Sequence, residues 1–441
     1  MVKTMRKFLS LLVVVLLLFL VGCAKNMDLS ESASPKSDYS RDESYSGKEY
    51  YDIGDSAAPS GAEGEAYYVI PGEGETDKET SEEKENEMQL RAGLLTASCT
   101  MDNEKYAFWK SLLISNQEGE GIFQKYNRDF SFKTGARIKL TFPKGAYAEV
   151  TLVKDGKDSF TGVTDANGIC YIFSDKEEEN YELKINYLGK DGSLVSMNDT
   201  VTGDKEYDFE ALTSESELIE LMFVIDATGS MGDEMEYLKL EIADVIKKVK
   251  EMNGNVRILL SLMVYRDKGD EYVTRYDDFK EDIDSSLVFL GKQRASGGGD
   301  FEEAVQVALS EANDKQWATT KATKILVHVA DAPSHDSDVE SWANTTKALA
   351  AKGIHVITIA SSGIDKKTEY FFRCQSLLTN GAYVHITSDS GIGGDHIEAT
   401  VEEKEEVELL NDLLVRLING FHTGDFGTPV NWRQSQTSPL S

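Results

Sequence analysis

The chain has 441 residues, of which 77 are Asp or Glu and 46 are Lys or Arg, so its formal net charge at pH 7 is −31. A negative field of this size repels nucleic-acid phosphates and attracts cations, which argues against nucleic-acid binding. The four cysteines, Cys23, Cys99, Cys170 and Cys374, are too few and too scattered for a disulfide scaffold. We expect Cys170, within the strand-like run GICYIF, to be a buried free thiol.

The first residues are typical of a secretory signal. Three basic residues precede an apolar run at residues 8–21, which is shorter than a usual transmembrane span. The run ends in LVGC, which resembles the bacterial lipobox, whose cysteine is lipidated and becomes the mature N-terminus. We therefore expect residues 1–22 to be a signal peptide and Cys23 to anchor the protein to a membrane of the bacterial cell envelope, facing outside the cytoplasm. Ordinary secretion is the alternative.

Residues 23–87 predict a disordered acidic tether. They are rich in Ser, Glu, Gly, Asp, Tyr and Lys, with almost no aliphatic clusters, and end in the charged run TDKETSEEKENE. Such a composition buries too little apolar surface to offset the entropy of ordering. A coil of this length reaches roughly 40–50 Å, enough to hold a domain clear of a lipid surface.

Residues 88–215 predict a small antiparallel β-sandwich. GARIKLTFP and YAEVTLVKDGK alternate apolar and polar residues, and Asn167-Gly168 is a strong signal for a tight turn. The TDANG step before an apolar strand resembles carboxypeptidase-regulatory-like and other immunoglobulin-like modules of surface proteins. We expect the module to space or support its neighbour. Ahead of it, RAGLLTA and YAFWKSLL indicate a strand and a short helix whose place in the fold stays open.

Residues 216–424 predict an α/β domain, followed by a C-terminal tail at 425–441. LIELMFVID, VRILLSLMVY, KILVHVAD and GIHVITIAS are nearly continuous apolar strands separated by stretches with helical spacing. This pattern indicates a doubly wound, mostly parallel sheet covered on both faces. Ligands bind such sheets beyond the carboxyl ends of the strands, where Asp226 and Asp331 stand.

Oxygen-bearing side chains alternate where the first of these strands ends. In FVIDATGSMGDE, Asp226, Thr228 and Ser230 can turn three oxygens toward one point, and Asp331, at the end of another strand, can approach it. Carboxylates and hydroxyls suit Mg²⁺ or Ca²⁺ far better than Zn²⁺. Two carboxylates with two hydroxyls also leave room for an acidic group from outside.

The motifs DATGS and ADAP resemble the metal-ion-dependent adhesion site of the von Willebrand factor type A family, whose pattern is Asp-x-Ser-x-Ser, a later threonine and a later aspartate. The resemblance covers residues 217–420, where YRDKGDEYVTR, GGGDFEEAV and VADAPSHD resemble a bacterial surface branch of the family. It implies a divalent ion held by Asp226, Thr228, Ser230 and Asp331, and a protein partner that offers a carboxylate.

One position departs from the family pattern. The later threonine usually stands five residues before a helix alanine, and counting back from Ala304 reaches Gly299, which has no side chain. Asp300 is adjacent and could replace the threonine as a metal ligand, directly or through water. The alternative is that Asp300 is a helix N-cap.

Other polar residues near these motifs have two interpretations each. Asp233 and Glu234 could form an adjacent metal site, as acids do in integrin β-chain domains, or favour the first turn of a helix. Asp267 and Asp270 could edge the site or form an acidic turn. His335 could suggest hydrolysis, although histidines in rim loops more often contact solvent or ligand.

The sequence favours a binding protein over an enzyme. It has no Gly-x-Ser-x-Gly, His-Glu-x-x-His, Walker loop or paired acids in a suitable context. The first hypothesis is a surface-tethered module whose divalent ion holds a carboxylate of a protein partner. The alternative is a structural or assembly subunit of a cell-envelope complex, in which the metal secures a permanent contact.

Overall fold

The structure is a computed structural model, and it describes residues 90–114, 121–130, 132–319 and 321–435. The expected signal peptide, Cys23 and the acidic tether lie outside the described residues. Among the residues that are described, no helix is long and apolar enough to cross a membrane.

The strands are β1 (Thr96–Thr100), β2 (Ala136–Thr141), β3 (Glu149–Lys154), β4 (Lys157–Val163), β5 (Ile169–Ser174), β6 (Tyr181–Leu188), β7 (Leu194–Val201), β8 (Lys205–Glu206), β9 (Leu218–Asp226), β10 (Arg257–Tyr265), β11 (Thr274–Lys280), β12 (Thr323–Ala330), β13 (Ile354–Ala360), β14 (Ala382–Ile386) and β15 (Glu408–Leu409). The α-helices are α1 (Tyr106–Leu113), α2 (Gln124–Asp129), α3 (Met235–Met252), α4 (Ile283–Gly291), α5 (Val305–Asn313), α6 (Val339–Ala351), α7 (Lys366–Leu378), α8 (Leu410–Thr423) and α9 (Trp432–Ser435). Short 3₁₀ turns cover Gly229–Asp233, Asp336–Asp338 and Ser388–Ser390.

The main sheet has eight strands in the order β11-β10-β9-β12-β13-β14-β1-β15. The five strands from β10 to β14 in this order are mutually parallel, and β11 and β1 pair antiparallel at either side. The central strands are buried on both faces, which is why their sequences are nearly continuous apolar runs. The predicted α/β fold with a mostly parallel sheet is confirmed.

Side chains alternate between two hydrophobic cores, one on each face of the sheet. Along β9, Leu221 and Phe223 join the core formed with α3, α4 and α8, while Met222 and Val224 join the core formed with α5, α6 and α7. This alternation follows from the two-residue period of a strand. The helices therefore cover the sheet and leave the carboxyl ends of its parallel strands at one edge.

The predicted β-rich module forms two smaller sheets, ordered β5-β2-β8 and β4-β3-β6-β7. The second is antiparallel throughout. The expected tight turn is present: Gly168 has φ +76°, and an added Cβ there would lie 2.4 Å from the carbonyl oxygen of Phe142. Cys170 is a buried free cysteine, as expected. Apolar residues of the module share one continuous core with α5, α6 and α7.

Strand β1 belongs to the main sheet, although its residues lie within the segment 88–215 that was expected to form the β-rich module. It pairs antiparallel with β14 and with β15. Four of its five residues are buried, so it lacks the alternation of a half-exposed sandwich strand and fits a central position. Just after β1, Asp102 forms a fully buried ion pair with Arg373 of α7, whose Nε donates to Asp102 Oδ2 at 2.9 Å.

The expected C-terminal tail is partly structured. Within it, α9 forms a short helix, and the backbone N–H of Trp432 donates to the carbonyl oxygen of Val407 at 2.9 Å.

Candidate metal-binding site

Asp226 and Asp331 lie side by side at the carboxyl edge of the main sheet. Asp226 is the last residue of β9, and Asp331 directly follows β12, the adjacent parallel strand. The register pairs Ile225 with Val329, which places Asp331 one residue beyond Asp226. Thr228 and Ser230 follow Asp226 into the turn Gly229–Asp233. The topology thus brings the first motif and the later aspartate to one edge.

Thr228 orients the carboxylate of Asp226. Its backbone N–H and its hydroxyl donate to Asp226 Oδ1 at 2.8 and 2.7 Å. The hydroxyl oxygens of Thr228 and Ser230 are 3.3 Å apart. Among the described residues, the second oxygen of Asp226, Oδ2, and Oδ1 of Asp331 are buried and have no hydrogen-bond partner. Unpaired buried carboxylate oxygens are costly, and a cation bound at these two oxygens would offset that cost.

The electrostatics of the two aspartates point the same way. Burial, and next the charge of Asp331, raise the pKa of Asp226 to about 7. Burial also raises the pKa of Asp331, and this effect outweighs the lowering by the side chain of Ser230. Two carboxyl groups that share a buried position disfavour ionisation of each other. A divalent cation between them would supply the missing positive charge.

A glycine loop closes the site from a third side. Gly297 and Gly298 have φ +83° and +75°. The carbonyl oxygen of Gly297 accepts from the backbone N–H of Gly229 at 3.1 Å. Asp270 Oδ2 accepts from the N–H of Gly298 at 2.9 Å and from that of Asp267 at 3.2 Å, so Asp270 holds the loop in place. This supports the interpretation of Asp267 and Asp270 as an acidic turn.

Glu303 is a third buried carboxylate, and it is not among the site residues expected from the sequence. It is 2% exposed, and Oε2 has no hydrogen-bond partner among the described residues. Burial, and then the charges of Asp226, Asp267, Asp331 and Asp270, raise its pKa to about 9. In GGGDFEEAV, Glu302 and Glu303 are adjacent identical residues, so the local sequence does not indicate which of them is buried. The direction of the loop decides it.

Asp300 lies near Asp267 and His335, and not in a group with the expected ligands Asp226 and Asp331. It is exposed, and one of its oxygens lies within 4.8 Å of ligand atoms of Asp267 and His335, which are mutually as close. His335 Nε2 is 3.5 Å from Asp267 Oδ1. The N-cap alternative for Asp300 is wrong: α5 begins at Val305, its N-cap residue is Ala304, and no side chain caps it. That Asp300 shares a metal with Asp226 stays a prediction.

Glu234 is buried, whereas Asp233 is exposed. Glu234 Oε1 accepts from the backbone N–H of Ser362 at 3.1 Å and lies 3.5 Å from His396 Nε2. Burial raises the pKa of Glu234. Glu234 stands at the N-cap position of α3 without capping it by a side-chain hydrogen bond, so it holds the loop at Ser362 instead of the helix end.

Comparison with known proteins agrees with this geometry. Residues 220–399 match the family described as von Willebrand factor A domain. An ariadne-like RING finger protein of Acanthamoeba polyphaga mimivirus is 27% identical over 189 residues, 39% of this chain and 18% of that protein. The alpha-protein kinase vwkA of Dictyostelium discoideum is 27% identical over 180 residues, 40% of this chain and 28% of the kinase.

The chain therefore spans less than a third of the length of these two curated relatives. Among solved structures, the conserved hypothetical protein BatB from Bacteroides thetaiotaomicron is 15% identical, with a TM-score of 0.31, over 39% of this chain and 93% of that chain. The motifs and the parallel sheet agree with the match of residues 220–399 to the von Willebrand factor A domain family.

Proposed function

We propose that this protein is a metal-dependent binding module, in which a divalent cation held by Asp226, Thr228, Ser230 and Asp331 takes a carboxylate oxygen from a protein partner. The observation that carries the proposal is a pair of buried oxygens on adjacent strand ends, Asp226 Oδ2 and Asp331 Oδ1, which have no hydrogen-bond partner among the described residues. Coordination of a cation would offset the free-energy cost of burying each of these oxygens without a partner.

The donor set fits a hard cation. Its donors are carboxylate and hydroxyl oxygens, the ligands that Mg²⁺ and Ca²⁺ prefer, and it contains no thiolate or imidazole. When bound, the ion would act as a Lewis acid that coordinates an oxygen of the partner. Thr228 would keep Asp226 in place, because its two hydrogen bonds fix one carboxylate oxygen and leave the other free.

The charge of the chain bears on how a partner approaches. A net charge of −31 opposes an acidic partner at long range, but salt screens this repulsion beyond about 8 Å at physiological ionic strength. Recognition of a carboxylate would therefore depend on direct coordination and would be lost with the metal.

The proposed location is the outer side of a bacterial membrane, with a lipid on Cys23 as the anchor. The motif LVGC supports it. Changing Cys23 to Ser should leave the protein unprocessed or release it from membranes, measured by fractionation with and without detergent. Processed, membrane-bound Cys23→Ser protein would contradict lipid anchoring at this residue.

Partner capture tests the binding function. Full-length protein immobilised on a resin is incubated with envelope extract in Mg²⁺ or Ca²⁺, or in EDTA. We expect a partner that binds in metal, elutes in EDTA and is not captured by Thr228→Ala. Thr423→Ala, which changes a threonine at the exposed end of α8, is the matched control and should capture normally. Equal capture by Thr228→Ala or in EDTA would contradict the proposal.

A further inference from the structure

Glu303 lies against the three segments that build the candidate metal site. Its backbone N–H donates to the carbonyl oxygen of Pro333 at 2.9 Å, and it forms an isolated parallel bridge with Ser334. These contacts tie Glu303 to the loop that follows Asp331.

The side chain of Glu303 also lies near the glycine loop that borders the first motif. A Cβ placed on Gly298 would lie 2.9 Å from Glu303 Oε1 and 3.4 Å from Thr228 Cβ. The carboxylate of Glu303 and the side chain of Thr228 therefore border the same glycine. A side chain at position 298 would be too close to Glu303 Oε1, which explains the glycine at this position.

The buried carboxylate of Glu303 is not explained by contacts within the protein. No hydrogen bond or ion pair reaches Oε2 from the described residues, although the side chain is almost fully buried. Its neighbour Glu302 differs in this respect, because Oε1 of Glu302 pairs with Lys367 Nζ at 3.1 Å. A desolvated glutamate whose Oε2 has no partner among the described residues destabilises the metal-free protein.

We propose that Glu303 is a third carboxylate ligand of the metal and takes the place of the threonine that Gly299 lacks. The inference rests on the proposed metal site and extends it. With Asp226 and Asp331, Glu303 would bring three negative charges around one cation. Such a site holds a divalent ion more tightly in the absence of a partner, because affinity rises with the number of charged ligands. It also favours a trivalent ion over a divalent one.

Calcium and terbium titrations test the proposal. Full-length wild type, Glu303→Gln and Glu302→Gln are freed of metal and titrated with Ca²⁺ and with Tb³⁺. We expect Glu303→Gln to weaken Ca²⁺ binding by about tenfold or more and Tb³⁺ binding by a larger factor, because the Coulomb energy of the lost charge scales with the charge of the ion. Glu302→Gln should bind both ions as the wild type does.

Two results would overturn the inference and leave the proposed function intact, and a third would reject both. Unchanged affinities in Glu303→Gln would remove it from the ligand set, while wild-type binding would still stand. Equal losses for both ions would show that Glu303 only supports the loop. Absence of Ca²⁺ and Tb³⁺ binding to the wild type would reject the metal site itself.

Thermal unfolding in EDTA shows whether the substitution itself impairs folding. Glu303→Gln should melt at or above the wild-type temperature, since it removes a carboxyl group that is costly to bury. If it melts lower, Glu303→Asp replaces it in the titrations: this variant keeps the charge but shortens the reach, and we expect weaker Ca²⁺ binding. Wild-type affinity in Glu303→Asp would contradict direct coordination.

Discussion

Asp226 and Asp331 leave adjacent parallel strands one residue apart in register, and each retains a buried carboxylate oxygen without a hydrogen-bond partner in the part of the chain that the structure describes. Parallel pairing of β9 with β12 produces this proximity, because both strands end at the same edge of the sheet. The metal-free protein therefore carries an electrostatic cost at this edge, and binding of a cation would remove it.

Asp226→Asn should stabilise the metal-free protein and abolish its stabilisation by metal. The amide oxygen can still accept from Thr228, while the buried charge disappears. Because the pKa of Asp226 is raised to about 7, the gain at pH 8 is at most about 4 kcal/mol. Denaturant unfolding in EDTA and in Mg²⁺ measures both effects. Asp278→Asn, at an exposed residue of β11, should change neither. A lower stability of Asp226→Asn in EDTA would contradict this explanation.

Glu241 predicts a pH dependence that is separate from the metal site. Its carboxylate accepts from the backbone N–H groups of Gly93, Leu94 and Leu95, and burial raises its pKa to about 7. The folded state thus binds a proton more readily than the unfolded state, so this contribution to stability is present at low pH and is lost as pH rises to about 7.

The comparison is between wild type and Glu241→Gln at pH 5 and pH 8. The free energy of unfolding of the wild type, relative to that of Glu241→Gln, should be smaller at pH 8 than at pH 5, by at most about 3 kcal/mol. A difference that is the same at both pH values would show that Glu241 does not titrate in this range.

The segment that contains β1 should be needed for the α/β domain to fold. A fragment from residue 215 to residue 425 lacks β1 and leaves the Arg373 guanidinium without Asp102. Loss of one partner of a buried ion pair costs about 3–5 kcal/mol. We expect this fragment to be insoluble or unfolded by circular dichroism, and a fragment from residue 90 to residue 435 to unfold cooperatively.

The point variant Asp102→Ala isolates the ion pair within the full chain. It should lower the free energy of unfolding by about 3–5 kcal/mol, whereas Asp158→Ala, which removes an exposed pair with Lys184, should cost about 1 kcal/mol or less. Cooperative folding of the fragment 215–425 would show that β1 is dispensable.

Gly299→Thr should restore the hydroxyl that the family pattern expects. A Cβ at Gly299 meets no atom of the described residues within 4 Å, and Gly299 is not among the residues with positive φ. The variant should fold as well as the wild type and bind Mg²⁺ at least as tightly.

Gly298→Thr is the matched control for this substitution. Gly298 has φ +75° and faces Glu303 Oε1 at 2.9 Å from an added Cβ, so the same side chain should destabilise the protein there. Calorimetry of Mg²⁺ binding and thermal unfolding compare the two variants. Equal destabilisation by both would contradict the described loop geometry.

Much of the fold was predictable because doubly buried strands have a distinctive composition. β9, β10, β12 and β13 are apolar runs, and the ends of β9 and β12 identify Asp226 and Asp331. The place of β1 was not predictable, since local sequence does not encode which distant strand a segment pairs with. Glu303 was missed for a similar reason: it and Glu302 are adjacent identical residues, and only the tertiary path of the loop buries one and exposes the other to Lys367.

Divalent-ion binding by the wild-type protein tests the central claim most directly. Full-length protein is treated with chelator, dialysed and titrated with Mg²⁺ and with Ca²⁺ in a calorimeter, in parallel with Asp226→Asn. We expect saturable binding of at least one ion to the wild type and none at the same site in Asp226→Asn. Absence of binding at millimolar metal, or equal binding by both proteins, would contradict the metal site formed by Asp226, Thr228, Ser230 and Asp331.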